Sequence, residues 1–245
     1  GTSRPDEYLI FMAHWDHLGV NEELVGDQIF NGAADNAAGV AAVIELARKF
    51  DQVQTERSII FTALTLEESG LLGSAYLAEN PPFDLANVVA GFNFDRVLPT
   101  GKTKDMAVIG YGASELEDYL EEELEKQGRY INPDPNPEKG YFYRSDHISF
   151  AKKGVPVLYS DDGFDLEEGG IEEGFKEIYD YTNFRYHGVN DEYDPSWNLE
   201  GFEQTIDTIF NISQDLSNSS DWPNWYEGNE FRATRDAQLS LKNIL

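Results

Sequence analysis

The chain has 245 residues, 40% of them hydrophobic, and no cysteine. That length buries one sizeable core or two small ones, and disulfides, thiolate metal sites and thiol catalysis are excluded. Asp and Glu outnumber Lys and Arg 46 to 18, for a net charge of −28, which argues against nucleic acid and against an anionic membrane surface. No apolar run reaches the roughly 18 residues that a membrane-spanning helix needs. Such charge keeps a surface solvated and resists association. It also leads us to expect adaptation to high salt, where screening relieves the repulsion. The melting temperature is therefore expected to hold or rise in molar sodium chloride, and a steady fall contradicts this reading.

Short apolar runs alternate with helical patterns along the chain. "EYLIFMAH" (7–14) predicts a strand and "NAAGVAAVIELARKF" (36–50) a helix apolar nearly all round, hence buried. "RSIIFTALT" (57–65) is the next strand, and "GLLGSAYLAEN" (70–80) the next helix, stopped by Pro81-Pro82. Strands are predicted at 87–95 and 106–112, then an acidic helix over 114–128 with Gly128 as its stop. A Pro-rich loop (133–140), a short helix (145–154) and a buried strand (155–160) follow. Segment 161–198, rich in Gly, acids and aromatics and without a period, reads as a long loop. The amphipathic pattern over 198–216 predicts a helix through Leu199, Phe202, Ile206, Ile209, Phe210 and Leu216, and a final helix is expected over 228–243. Strands alternating with helices predict an α/β fold: one domain with a central, mostly parallel or mixed twisted sheet covered on both faces. In such sheets chemistry collects at the carboxyl ends of the strands.

Those ends are polar. The first strand ends in "HWDHLG", which sets His14 and Asp16 on one side; His and Asp two apart suit a metal ligand with a carboxylate orienter, or simply two surface residues. "NGAADNAAGV" places Asp35 and Asn36 before a helix, where either also serves as an N-cap. The second strand runs into the adjacent carboxylates Glu67 and Glu68, which resist leaving water yet also suit a solvated turn or a helix N-terminus. The third ends at Asp95, and "YHGVNDEYD" puts Tyr186 and His187 at the end of the long loop. The only four histidines are His14, His17, His147 and His187. All lie in these polar clusters, so one shared site explains them better than separate coincidences.

Taken together, "AHWDH", "NGAADNAAGVAAVIELA", "TLEESGLLGS", "NFD", "YRSDHISFAKKGVP" and "YHGVNDEYD" resemble, in order and over almost the whole chain, the di-zinc aminopeptidases of the bacterial leucyl aminopeptidase type. Glutamate carboxypeptidases and glutaminyl cyclases are more distant relatives. The resemblance implies two zinc ions per chain. His14 and Asp95 hold one, Glu68 and His187 the other, and Asp35 bridges both across a cis Asp35–Asn36 peptide. It further implies that Asp16 orients His14 and that Glu67 is the general base for a metal-bound hydroxide. Tyr186 would stabilise the oxyanion, with Ser145, Asp146 and His147 behind the ligands. Peptides are the implied substrates, and a secreted or periplasmic location is implied too.

Oxygen and imidazole ligands without sulfur fit such a pair of ions. Neighbouring side chains at a strand end diverge, so Glu68 can meet a metal while Glu67 faces the water. Relatives normally carry an earlier helix and strand, and often an inserted protease-associated domain. Residues 1–245 are thus expected to form a catalytic domain that is either part of a longer protein or builds its sheet edge differently. Gly1 in place of Met points to a processed or trimmed chain.

Arg96 stands where a neutral residue is expected, which bears on substrate preference. Arg144 and Arg185 leave a carboxypeptidase open as an alternative, since either could grip a terminal carboxylate; pairing with the surplus acids is the competing expectation, above all for Arg185. Cyclases of this type use one zinc, which the intact His14 and Asp95 disfavour. A scaffold that has lost its ligands is disfavoured by the complete set, whereas a catalytically impaired fragment stays open.

Overall fold

The computed structural model describes residues 1–242. Their strands are β1 (Arg4–His14), β2 (Gly19–Val20), β3 (Ile29–Phe30), β4 (Arg57–Leu64), β5 (Val88–Asn93), β6 (Asp105–Val108), β7 (Tyr130–Pro133) and β8 (Val157–Asp162). The α-helices are α1 (Ala38–Phe50), α2 (Leu72–Glu79), α3 (Leu116–Lys126), α4 (His147–Ala151), α5 (Gly170–Phe184), α6 (Glu200–Asn218) and α7 (Arg232–Lys242). Residue 243, the last of the final predicted helix, lies outside the described residues.

Six strands form one sheet in the order β4-β1-β5-β8-β6-β7. The first four are parallel, and β6 and β7 run together against them. Period-2 alternation in β1 decides which residue meets which layer. Leu9, Phe11 and Ala13 join Leu46 and Phe50 of α1, Leu120 of α3 and Ile209 of α6 in one core. Ile10 and Met12 face the other way, against Leu64, Ala78 of α2 and Phe150 of α4. Both faces of β1 are therefore dry: residues Leu9 to Ala13 expose 1% or less. Burying one such large aliphatic side chain contributes roughly 1.5–3 kcal/mol. The chain leaves β1 for one neighbour, β4, and returns to the other, β5. This reversal opens a crevice at the carboxyl ends of the strands, where side chains can gather around a ligand.

Several expectations need correction. The segment read as a loop over 161–198 contains the 15-residue helix α5. Its apolar positions Ile171, Phe175, Ile178 and Tyr181 do follow helical spacing, a period that the surrounding Gly, acidic and aromatic residues obscure. Gly174 is a contact residue: a Cβ there would lie 2.0 Å from the Phe164 carbonyl oxygen, so only glycine lets the helix approach. β7 begins before the Pro-rich loop and reaches Pro133, tolerated on the outermost strand of the sheet. The β2–β3 hairpin is too short to show a period.

Candidate active site

His14 ends β1 and is 1% exposed. Its Nε2 lies 3.2 Å from Asp35 Oδ1 and 3.2 Å from Asp95 Oδ1. The other oxygen of Asp35 lies 3.3 Å from His187 Nε2, which is 3.2 Å from Glu68 Oε2. Asp35 thus belongs to two groups at once, one with His14 and Asp95 and one with Glu68 and His187. The ligand residues inferred from the sequence all meet here, and the Asp35–Asn36 peptide is cis.

Asp16 acts differently from expectation. Its carboxylate is 3.9 Å from His14 Nδ1, while its backbone carbonyl accepts from that nitrogen at 3.1 Å. A ring that donates through Nδ1 presents Nε2 as the ligating atom. The freed Asp16 carboxylate instead accepts from the backbone N–H groups of Glu67 and Glu68 at 3.1 and 3.3 Å. It therefore fixes the turn on which both glutamates sit.

The backbone is forced at this end of the sheet. The non-glycine residues with positive φ among those described are Leu66, Leu71, Arg96 and His187. Leu66 and Leu71 bracket the glutamate turn, Arg96 follows Asp95, and His187 is itself in the site. Such conformations cost of order 1–3 kcal/mol each and persist where the surroundings impose them.

Three further residues support the site beyond the ligands and base inferred from the sequence. His17 donates from Nδ1 to Glu68 Oε1 at 2.8 Å, and its ligating atoms lie within 4.8 Å of those of Asp35 and Glu68. A Cβ on Gly32 would come within 2.7 Å of the His17 ring, so the glycine makes room for it. Asp191, 1% exposed, accepts from the backbone N–H groups of Ala34 and Asp35, each at 3.0 Å. Asn36 spans the gap between Asp35 and Asp95, donating to the Phe94 carbonyl at 2.9 Å and accepting from Gly39 N at 3.0 Å.

Tyr186 lines the same cavity as Asp35, Glu67 and Asp95, with its ring stacked 3.9 Å from that of His187. Burial and the nearby carboxylates raise its pKa, so the phenol keeps its proton. The "SDH" residues lie behind the site. Ser145 accepts from Asn93 Nδ2 at 2.8 Å, burial pushes Asp146 up to about 7, and His147 is wedged between the rings of Phe142 and Tyr159. Arg96 is ion-paired with Asp161. Arg185 lies over the Tyr181 ring at 5.4 Å, and no carboxylate among the described residues forms the ion pair expected of it.

The site is short of positive charge. Burial disfavours a charged His14, but Asp35 and Asp95 outweigh it and push its pKa up to about 12. Hydrogen bonds that His187 donates to Asp35 and Glu68 raise it to about 10. Burial, then the charge of Asp95, raises Glu67 to about 8. Carboxylates and imidazole nitrogens 3.2–3.3 Å apart, sharing one carboxylate, fit one cation in each group in both donor type and spacing.

The sign of the linkage follows. His14 and His187 contribute stability fully present below pH 6.5 and lost as pH rises towards their raised values. Glu67 favours its proton in the folded state, so stability also falls between 4.5 and 8. With a chelator present, the melting temperature is expected to fall from pH 6 to pH 10. Zinc, which needs neutral imidazoles, should flatten or reverse that slope. A melting temperature that rises with pH under chelation contradicts the charge balance.

Comparison with known proteins gives the family and the fold. The chain belongs to peptidase family M28, whose model matches residues 1–213. A protein of Phaeosphaeria nodorum named "Probable zinc metalloprotease" is 27% identical over 213 residues, covering 79% of this chain and 42% of that protein. One of the same name from Pyrenophora tritici-repentis is 39% identical over 98 residues, 40% of this chain and 22% of its own length. Among solved structures, LapB from Legionella pneumophila has a TM-score of 0.65 at 20% identity, covering 88% of this chain and 53% of LapB. BSAP, a zinc aminopeptidase from Bacillus subtilis, has a TM-score of 0.59 at 18% identity, covering 92% of this chain and 50% of its own. This chain therefore spans about half of those structures and less of the two relatives.

Proposed function

We propose that this chain is the catalytic domain of a zinc-dependent aminopeptidase that uses two ions and removes the N-terminal residue of peptides. The observation that carries the reading is the division of Asp35, one oxygen turned to His14 and the other to His187. His14, Asp35 and Asp95 would hold one ion, and Asp35, Glu68 and His187 the other. Zinc, when bound, supplies a Lewis acid that lowers the pKa of water and polarises a carbonyl.

The rest is done by protein groups. Glu67 takes a proton from the attacking water and passes it to the leaving nitrogen. A carboxyl whose pKa is raised towards neutrality suits both transfers. Tyr186, which keeps its proton, donates to the oxygen that gains charge as the carbonyl carbon becomes tetrahedral. Asp16 holds Glu67 in place through the backbone.

The test is a panel of aminoacyl anilides and their N-acetylated counterparts with zinc present. Cleavage confined to free amines is expected, and equal or preferential cleavage of the blocked substrates contradicts the aminopeptidase reading. Arg144 in the cavity wall favours a second reading, a carboxypeptidase, for which N-blocked peptides with a free carboxyl terminus would be the better substrates.

A further inference from the structure

Arg144 lines the cavity that contains Asp35, Glu67, Asp95 and Tyr186. Arg129, Arg144, Arg185 and Arg235 form no ion pair among the described residues, and of these four Arg144 is the one that lines the cavity. Arg4, Arg57, Arg96 and Arg232 each reach a carboxylate, as expected where acids outnumber bases 46 to 18. Arg144 is exposed and has no carboxylate within 4.0 Å among the described residues. Its guanidinium lies over the ring of Tyr141, 5.6 Å from the centroid, and Lys139 lies over the same ring at 5.8 Å. An aromatic face steadies a cation without neutralising it. Tyr141 also lines the adjoining cavity, which Lys139 reaches along with Asp134, Asp161 and Asp162, so Arg144 and Lys139 are two cations at the edge of a strongly acidic site. Arg96, nearer the metal-binding carboxylates in sequence, is already neutralised by Asp161 and leaves Arg144 as the available fork.

We propose that Arg144 is a specificity-determining residue that grips a carboxylate of the substrate, either the carboxyl terminus of a short peptide or an acidic side chain flanking the scissile bond. This deepens the peptidase reading and rests on it. A protein of charge −28 repels an anionic substrate at long range, so binding one requires a local cation. A guanidinium meets a carboxylate with two parallel N–H donors, which a lysine cannot reproduce.

The test pairs substrates that differ only in charge: a dipeptide acid against its amide, and amidated peptides with Glu against Gln on each side of the scissile bond. For at least one pair, wild type is expected to favour the carboxylate member about tenfold in kcat/KM, through KM, as one charge-assisted contact implies. Arg144→Ala should abolish that preference and Arg144→Lys should keep part of it. The pair that responds identifies which carboxylate is gripped. A preference that survives in Arg144→Ala, or no preference in any pair, overturns the proposal.

Failure of the wider reading looks different, because wild type then cleaves no member of any pair. Calorimetric titration of zinc-loaded protein with an N-acetylated dipeptide acid and its amide still reads the grip. Tighter binding of the acid that is lost in Arg144→Ala supports it, and equal affinity overturns it.

Discussion

Glu67→Gln is expected to retain zinc and lose turnover, whereas Glu68→Gln is expected to lose zinc and regain part of its activity when zinc is supplied in excess. The two residues are consecutive, and Asp16 holds both backbone N–H groups, so the contrast comes from where the side chains go. Glu68 is tied to His17 at 2.8 Å and to His187 at 3.2 Å, and those contacts hold its pKa low against burial. It stays an anion and suits a cation. Glu67 has no such partner among the described residues, and burial raises it to about 8. It suits a group that exchanges protons.

Glutamine preserves the shape of each side chain but carries no full charge and accepts no proton. Loss of general acid–base catalysis typically costs about 100- to 10,000-fold. For Glu67→Gln, kcat should therefore fall at least about 100-fold, with zinc content and KM near wild type and no rescue by added zinc. Metal analysis and steady-state kinetics on both variants decide the matter. Glu67 also lies with His14 and Glu68 in a group whose ligating atoms are within 4.8 Å. Loss of zinc from Glu67→Gln would therefore make it a ligand, and identical behaviour of the two variants would remove the division of labour.

The parts of this site that were legible in the sequence are those whose side chains end at a strand terminus. His14, the Glu67–Glu68 pair and Asp95 each follow a recognisable apolar run, so parallel strands place them at one edge without further information. Asp35, Tyr186 and His187 sit on irregular backbone and were placed by resemblance, since their own positions also suited a cap or a loop. What escaped was support of a kind that pattern does not encode. Asp16 sat at the expected position, but its carboxylate turned to the backbone of residues 67 and 68, a choice fixed by the geometry of that turn. His17 was grouped with the other histidines of the site, but its partner Glu68 lies 51 positions away and only folding brings the two together. The helix α5 was hidden in a segment rich in Gly, acids and aromatics, where Gly174 answers a contact with Phe164 that no local window contains.

Asp191 is the support with the largest expected consequence. Its carboxylate receives Ala34 N and Asp35 N at 3.0 Å and the Tyr181 hydroxyl at 3.3 Å, and its backbone carbonyl receives Ala33 N at 3.0 Å. Residues 33–35 are thereby held by a segment 156 or more positions away, and the Asp35 carboxylate, common to the two groups that meet in the site, is aimed by that hold. Asp191→Ala leaves two backbone donors and a phenol buried without partners. Each unsatisfied buried group costs about 1–3 kcal/mol, so unfolding free energy should fall by about 3 kcal/mol or more. Because Asp35 serves both groups, zinc affinity should weaken at both sites together, by at least about tenfold if Asp35 loses the equivalent of about 1.4 kcal/mol of placement. Asp191→Asn keeps one acceptor oxygen and the volume of the side chain, so it should fold well and show a smaller loss of affinity in the same direction. Denaturant unfolding with chelator, together with zinc titration of both variants, separates the two roles. If Asp191→Asn loses stability while binding zinc as wild type does, Asp191 is a fold residue only; if Asp191→Ala matches wild type in both, the hold on Asp35 does not operate.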